Sequence, residues 1–405
     1  MEWYFSEWAH YVVRWTHLIT GIAWIGSSFY FMWLDAALEK PKAQTKPDVE
    51  GELWMVHSGG FYEVERKRIT PATMPAKLHW FKYEALFTWI SGICLLVLAY
   101  YLNASAMMID SGKTQLTAEQ SIYLSVGTLI ITWFLYDGLW QSTIGKKLPG
   151  LALAISLSIV ASAAFLFAHY FSGRAAAIHL GAMMGTWMVA NVWVRILPAQ
   201  SKMVDATREG RTPDYALSGH AKKRSVHNTY MTFPVLFMML SNHFPHTFGN
   251  SMNAVILLLM IVFGAGVRHV MVAKDRSRYW ILVPTAASAL ALVFTAATQK
   301  ESDGAGTSKI DRNQVVKFSV IQDIVQRRCV TCHADKPAIS TFGPSPGGVK
   351  LDLTQGLAER LKSLTDKIQL RVIQTRTMPP ANISHLQDDE RELIGLWLSQ
   401  GAKPE

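Results

Sequence analysis

The sequence predicts an all-α protein: a polytopic bundle of eight transmembrane helices, followed by a small soluble α-helical domain. Three observations predict it. Eight apolar stretches are each long enough to cross a bilayer. The basic residues between those stretches alternate sharply in number. The last part of the chain loses its apolar character and carries a Cys-x-x-Cys-His sequence.

The apolar stretches lie at 11–34, 85–102, 120–140, 148–171, 175–197, 227–244, 253–272 and 279–298. The sixth is the least regular, because it holds Pro234 and ends in Ser241-Asn242-His243. Half of the 405 residues are hydrophobic and only 17% are charged, a balance unusual for a water-soluble chain of this length. Many of the 14 Trp sit near the ends of apolar runs, as in the aromatic belts of membrane proteins. The net charge of +9 is explained by topology rather than by a nucleic-acid partner. The first, third, fifth and seventh connections carry eight, two, six and three Lys and Arg, whereas the even ones carry only Lys113 and Arg174. The positive-inside rule puts the odd connections in the cytoplasm and both termini outside. No cleavable signal peptide is expected, since the N-terminus lacks a basic region and its first apolar run is long enough to span.

The domains follow: 1–298 in the membrane, a polar linker over 299–312, and a soluble domain over 313–405 with helices expected near 313–328 and 387–400. In that domain Cys329-Val330-Thr331-Cys332-His333 has the form that attaches haem c covalently, the thiols through thioethers and the histidine to iron. A zinc site would need a second ligand pair, and the tail offers only His385. Met378, in Thr377-Met378-Pro379-Pro380, is the only methionine after residue 271 and is the expected second axial ligand, with His385 the rival. The domain is therefore read as a cytochrome c domain holding one haem. Haem c is attached on the outer face of the bacterial inner membrane, where an even number of spans would also deliver it. Cys94, inside an apolar run, reads as a small buried thiol.

Ionisable groups inside a membrane bundle usually face a cavity or a partner. His10, Arg14, His17, Gly21 and Trp24 fall within about 80° of one another at 100° per residue, so they share one face of the first span. His169, Arg174, His179, His243 and His246 are expected near the same outer surface. His57, His79, His220, His227 and His269, with Asp35, Asp137 and Arg268, are expected toward the inner side. Histidines at both faces also leave room for intramembrane b haems.

The segment Arg14-Trp15-Thr16-His17-Leu18-Ile19-Thr20-Gly21-Ile22-Ala23-Trp24-Ile25-Gly26 resembles the bacterial membrane-bound, cytochrome c-linked urate oxidases. So do Leu53-Trp54-Met55-Val56-His57-Ser58-Gly59-Gly60-Phe61-Tyr62 and Leu78-His79-Trp80-Phe81-Lys82-Tyr83-Glu84, with Ser58 and Tyr83 standing where the family pattern has Gly and Trp. The resemblance covers the whole chain. It implies oxidation of urate to 5-hydroxyisourate in purine degradation, with electrons passing to cytochrome c or a terminal oxidase rather than to oxygen. A planar urate anion needs a cation, a flat wall and a base. Arg14, His17 and His179 are the candidate catalytic residues, and Trp24, His57 and His243 candidate pocket residues. Two alternatives stand beside this: an electron-transfer protein with b haems feeding haem c, and a purine transporter with a haem sensor domain.

The charge asymmetry fixes a topology test. Reporter fusions after Gln299 should be active only as periplasmic reporters and fusions near Lys202 only as cytoplasmic ones.

Overall fold

A computed structural model describes residues 2–41, 48–110, 114–273, 277–297, 310–311 and 314–404, and they are mostly helical. Helix α1 (Glu2–Ala37) is followed by a hairpin of β1 (Val49–His57) and β2 (Gly60–Lys67). Then come α2 (Tyr83–Leu96), running into a π turn at Val97–Tyr101, and the short α3 (Ala104–Met107). Next are α4 (Ala118–Gln141), α5 (Thr143–Lys147), α6 (Pro149–Tyr170) and α7 (Gly173–Ala190). A second π turn, Asn191–Ile196, joins α7 to α8 (Leu197–Arg208). The helical bundle closes with α9 (Tyr215–Leu240), α10 (Pro245–Phe248), α11 (Asn253–Val272) and α12 (Ser277–Ala297).

Helices cover all eight apolar stretches. Five are long and apolar enough to cross a membrane: Tyr83–Tyr101, Ala118–Gln141, Pro149–Tyr170, Gly173–Arg208 and Asn253–Val272. The other three differ for local reasons. Arg14 and His17 interrupt the apolarity of α1, Lys222, Lys223 and Arg224 that of α9, and the apolar part of α12 is confined to Tyr279–Thr295.

Local chemistry sets the helix starts. Thr117 and Gln120 form a reciprocal capping box on α4, the Ser172 hydroxyl accepts from Ala175 N on α7, and Asp214 accepts from Ala216 N on α9. The core centres on α7, whose small residues Ala175, Ala176 and Ala177 let neighbouring helices approach. Leu180, Met183 and Trp187 of α7 are fully buried, as are Phe167 of α6 and Met238 of α9.

The hairpin is the departure from the expected all-helical bundle. Its cause is legible in retrospect: an apolar, aromatic run ends at Ser58-Gly59, both at positive φ, and His57 pairs with Gly60 across that two-residue turn. The hairpin folds back along α1, with Glu52 bridged to Glu39 and the Tyr30 hydroxyl 3.8 Å from Met55 Sδ.

The C-terminal unit contains α13 (Phe318–Arg328), α14 (Leu357–Ser363), α15 (Thr365–Ile368), a π turn at Gln369–Gln374 and α16 (Asp388–Ser399). Its own core of Ile321, Ile324, Val325, Leu361, Ile394 and Trp397 is where α13 packs on α16. Glu390 on α16 clamps Arg327 and Arg328 at the end of α13, at 3.0 and 2.9 Å. The linker expected over 299–312 lies, apart from residues 310 and 311, outside the described residues.

Helices α11 and α12 meet where Gly266 lies against Thr285: a Cβ at 266 would stand 2.0 Å from Thr285 Oγ1. Gly266→Val should destabilise the bundle by about 1–3 kcal/mol through overpacking, measured by thermal unfolding in detergent. The double variant Gly266→Val/Thr285→Ala should recover part of that loss.

Candidate functional site

The C-terminal unit rests on one end of the helical bundle. That end is a rim built from three connections tied to one another. Ser172 donates from its backbone to Met108 O and from its hydroxyl to Met107 O, both at 2.7 Å, and Gly173 packs so closely on Phe248 that a Cβ there would overlap its carbonyl. These are the second, fourth and sixth connections, the ones poor in basic residues. The unit's contact with the rim is tight. A Cβ on Gly249 would lie 2.6 Å from Thr375 O and 2.7 Å from Thr377 Cγ2, and α3 packs against the Pro380–Asn382 turn.

Between rim and unit lies a cleft of about 360 Å³. Arg174 and Phe248 line it from the bundle; Thr375, Thr377 and Arg391 line it from the C-terminal unit. The Arg174 guanidinium stacks over the Phe248 ring at 4.7 Å, and no carboxylate bonds it among the described residues. Arg376, by contrast, is paired with Asp388 at 2.8 Å. Arg391 is spent on the carbonyls of Val372 and Met378, at 2.6 and 2.8 Å. Arg174 is therefore the cleft cation left for a ligand.

Behind Arg174 the wall is aromatic. Arg174 and Arg14 both lie within electrostatic range of the buried Tyr100 hydroxyl, which accepts from Asn242 Nδ2 at 2.6 Å. Tyr100 meets the imidazole of His179 with ring centres 5.5 Å apart, and Tyr101, Phe167 and Phe171 complete a cage around it. His179 is fully buried. Its Nδ1 lies 2.7 Å from Ala175 O, and its Nε2 has no partner among the described residues. The π turn at Val97–Tyr101 brings both consecutive tyrosines onto this one ring, the use to which such turns are often put.

The structure thus gathers part of the expected set and disperses the rest. Arg14 and His179 converge on Tyr100. His17 instead turns to α2, with Nδ1 2.9 Å from Thr88 O and 3.2 Å from Ser91 Oγ. Trp24 is half-buried on α1, away from this group's contacts, so the single stripe of Arg14, His17 and Trp24 does not act as one wall. His57 is exposed at the hairpin turn, 3.0 Å from Ser58 Oγ, and His243 is exposed at the end of α9. Sequence reasoning passed over Tyr100, Asn242 and Phe248, because only the fold brings residues of three connections together.

A second polar cluster occupies the far half of the bundle. Asp137 accepts from Arg195 Nε at 2.9 Å and from Arg224 at 2.7 Å. Beside it the Tyr136 hydroxyl lies 2.7 Å from His227 Nδ1 and its ring stacks on Trp187 at 4.4 Å. Its two arginines share an acid within the cluster.

In the C-terminal unit Cys329 ends α13 and Cys332 follows in a turn, both as free thiols. Burial pushes both thiols up, Cys329 to about 12. His333 Nδ1–H donates to Val349 O at 2.9 Å, leaving Nε2 without a protein partner among the described residues. Burial lowers its pKa, so the ring is neutral at pH 7, the form that binds metal. Met378 is half-buried on a strap pinned at both ends, its N–H to Arg371 O at 2.9 Å and its carbonyl to Arg391. His385 is exposed. Two thiols, a neutral imidazole with one free nitrogen and a pinned thioether form a donor set that fits haem c.

One family model, described as urate oxidase N-terminal, matches residues 3–299. No curated protein and no solved structure matches the chain.

The Gly249 contact can be tested on its own. Gly249→Val should strain the seat by about 1–3 kcal/mol, so hydrogen exchange at Thr375–Thr377 should rise about tenfold or more. The Ile394–Leu398 core should keep its protection. Unchanged exchange at 375–377 would mean that the two units do not meet there.

Proposed function

Because this chain belongs to the urate oxidase N-terminal family, we propose that it oxidises urate to 5-hydroxyisourate and hands the electrons to a haem c carried by its C-terminal unit. The observation that carries this reading is the position of Arg174. It is a cation that no carboxylate bonds among the described residues, set against a flat ring, in a cleft whose opposite wall is the Thr375–Thr377 segment leading into Met378.

Urate at neutral pH is a planar monoanion. Its conversion adds one water, forms a C–O bond at C5 and releases one proton and two electrons. Arg174 binds the anion, and Phe248 gives the purine plane a wall. Tyr100 and His179, behind Arg174, hold and move the proton: His179 Nε2 is the unpaired acceptor and Asn242 fixes the Tyr100 hydroxyl. Arg14 adds positive charge at the same corner. Cys329 and Cys332 would hold the haem through thioethers, with His333 and Met378 as iron ligands. When bound, the haem iron accepts one electron at a time, which divides the oxidation into two steps.

The same reading makes all eight helical stretches membrane-spanning, in a multi-pass protein of the bacterial inner membrane. The N-terminus and the C-terminal unit would be periplasmic. The seat on the three connections poor in Lys and Arg supports this orientation. A cytochrome c or terminal oxidase is the onward acceptor.

The test is anaerobic addition of urate to the oxidised holoprotein while the haem absorbance is followed. Wild type should become reduced. Arg174→Gln should raise the urate KM about tenfold or more, the order of loss expected when a desolvated cation is withdrawn from an anion site. Its haem spectrum should not change. Reduction by Arg174→Gln with the wild-type KM would exclude the cleft as the urate site.

A further inference from the structure

The bundle holds a second arginine arranged like Arg174, at the opposite end. Arg268 lies near the C-terminal end of α11, about 25 Å along that helix from the rim at 1.5 Å per residue. It is 2% exposed. Its guanidinium stacks over Phe29 of α1 at 4.5 Å, against 4.7 Å for Arg174 over Phe248. Its only hydrogen-bond partner among the described residues is the weak acceptor Met32 Sδ, and its Nε is buried with no partner.

A buried cation is tolerated when an anion answers it, and an unanswered one is costly. The bundle's other buried arginine follows that rule, since Arg224 has Asp137. Near Arg268, the acid at the same end of α1 is Asp35, which is exposed and engaged by Arg66 at 3.4 Å. No carboxylate bonds Arg268 among the described residues. What does surround it is Phe29, Met32 and Tyr230, whose hydroxyl lies 2.8 Å from His269 Nδ1 and within electrostatic range of the guanidinium. A charge to neutralise, an aromatic face and a tyrosine hydroxyl held in place by His269 favour a flat organic anion over a spherical one.

We infer that Arg268, with Phe29, Tyr230 and His269, forms a second binding site for a small planar organic anion at the end of the bundle away from the C-terminal unit. In assigning urate or a closely similar oxopurine anion to it, the inference rests on the reading above. The site itself rests on the unanswered buried charge. It would take the anion from the side of the basic connections, far from the cleft where electrons leave.

Equilibrium binding of radiolabelled urate to the holoprotein, kept reduced with dithionite so that no turnover occurs, tests both sites separately. Wild type should bind two urates. Arg268→Gln and Arg174→Gln should each bind one, and the double variant none. Phe29→Leu should weaken the inner site about tenfold and leave the outer one intact, which covers the case in which Arg268→Gln fails to fold. A single site in wild type that Arg174→Gln abolishes overturns the inner site and leaves the cleft standing. Loss of one site in Arg268→Gln, with Arg174→Gln unchanged in both binding and KM, keeps the inner site and overturns the cleft. Displacement of the inner urate by inorganic phosphate as readily as by unlabelled urate overturns the planar-anion assignment.

Discussion

Between Gly249 and the Thr375–Thr377 segment there is no space for a single methyl group. The organisation of the molecule depends on that contact. On one side of it is a rim whose three connections are held together by the Ser172 hydrogen bonds and the close packing of Gly173 on Phe248. On the other side is the strap leading to Met378, itself held by Arg391 through two carbonyls and the Asn382 side chain. Arg391 is buried and lies within electrostatic range of Cys329, so one side chain couples the strap to the thiol end of α13. The cleft is what remains open beside this contact, which is why its walls come from both units.

Charge management separates structure from function within the bundle. A buried arginine with its own carboxylate, as at Asp137, is a finished interaction that fixes α4 against α9 and the π turn at Asn191–Ile196. A buried or half-buried arginine lying over a phenylalanine with no carboxylate is unfinished. The two unfinished arginines sit at opposite ends of the bundle. Histidines sort the same way. His227 and His269 are paired with tyrosine hydroxyls, whereas His179 is sealed in an aromatic cage with one nitrogen unspent.

Much of this could be read in the sequence, and the rest follows from contacts that no periodicity encodes. Hydropathy located the eight helical stretches, because burial of apolar faces is a local property of composition. It overstated the apolar character of α1 and α9, whose polar residues interrupt the run. The hairpin was hidden by its place in a basic connection, although Ser58-Gly59 between apolar runs is a turn signal. Cys329, Cys332, His333 and Met378 stand out in the sequence because covalent and ligand chemistry restricts residue type, and their reading as a haem site remains a proposal. Stripe reasoning placed Arg14, His17 and Trp24 together, but helix α2 takes His17 for itself through Thr88 and Ser91. Arg174 stood in a three-residue gap between apolar stretches with no pattern around it; its meaning comes from Phe248, 74 positions later, stacked beneath it.

The missing side chain at Gly249 also constrains heredity. A larger residue there would meet the Thr375 carbonyl as well as the Thr375 and Thr377 side chains, so it can be accommodated only if the strap backbone itself moves, which ties the two units together despite their separate cores. A chimera that grafts another C-terminal unit onto this bundle therefore inherits a steric condition before any electronic one: its strap must pass the rim with a backbone path that leaves the glycine room.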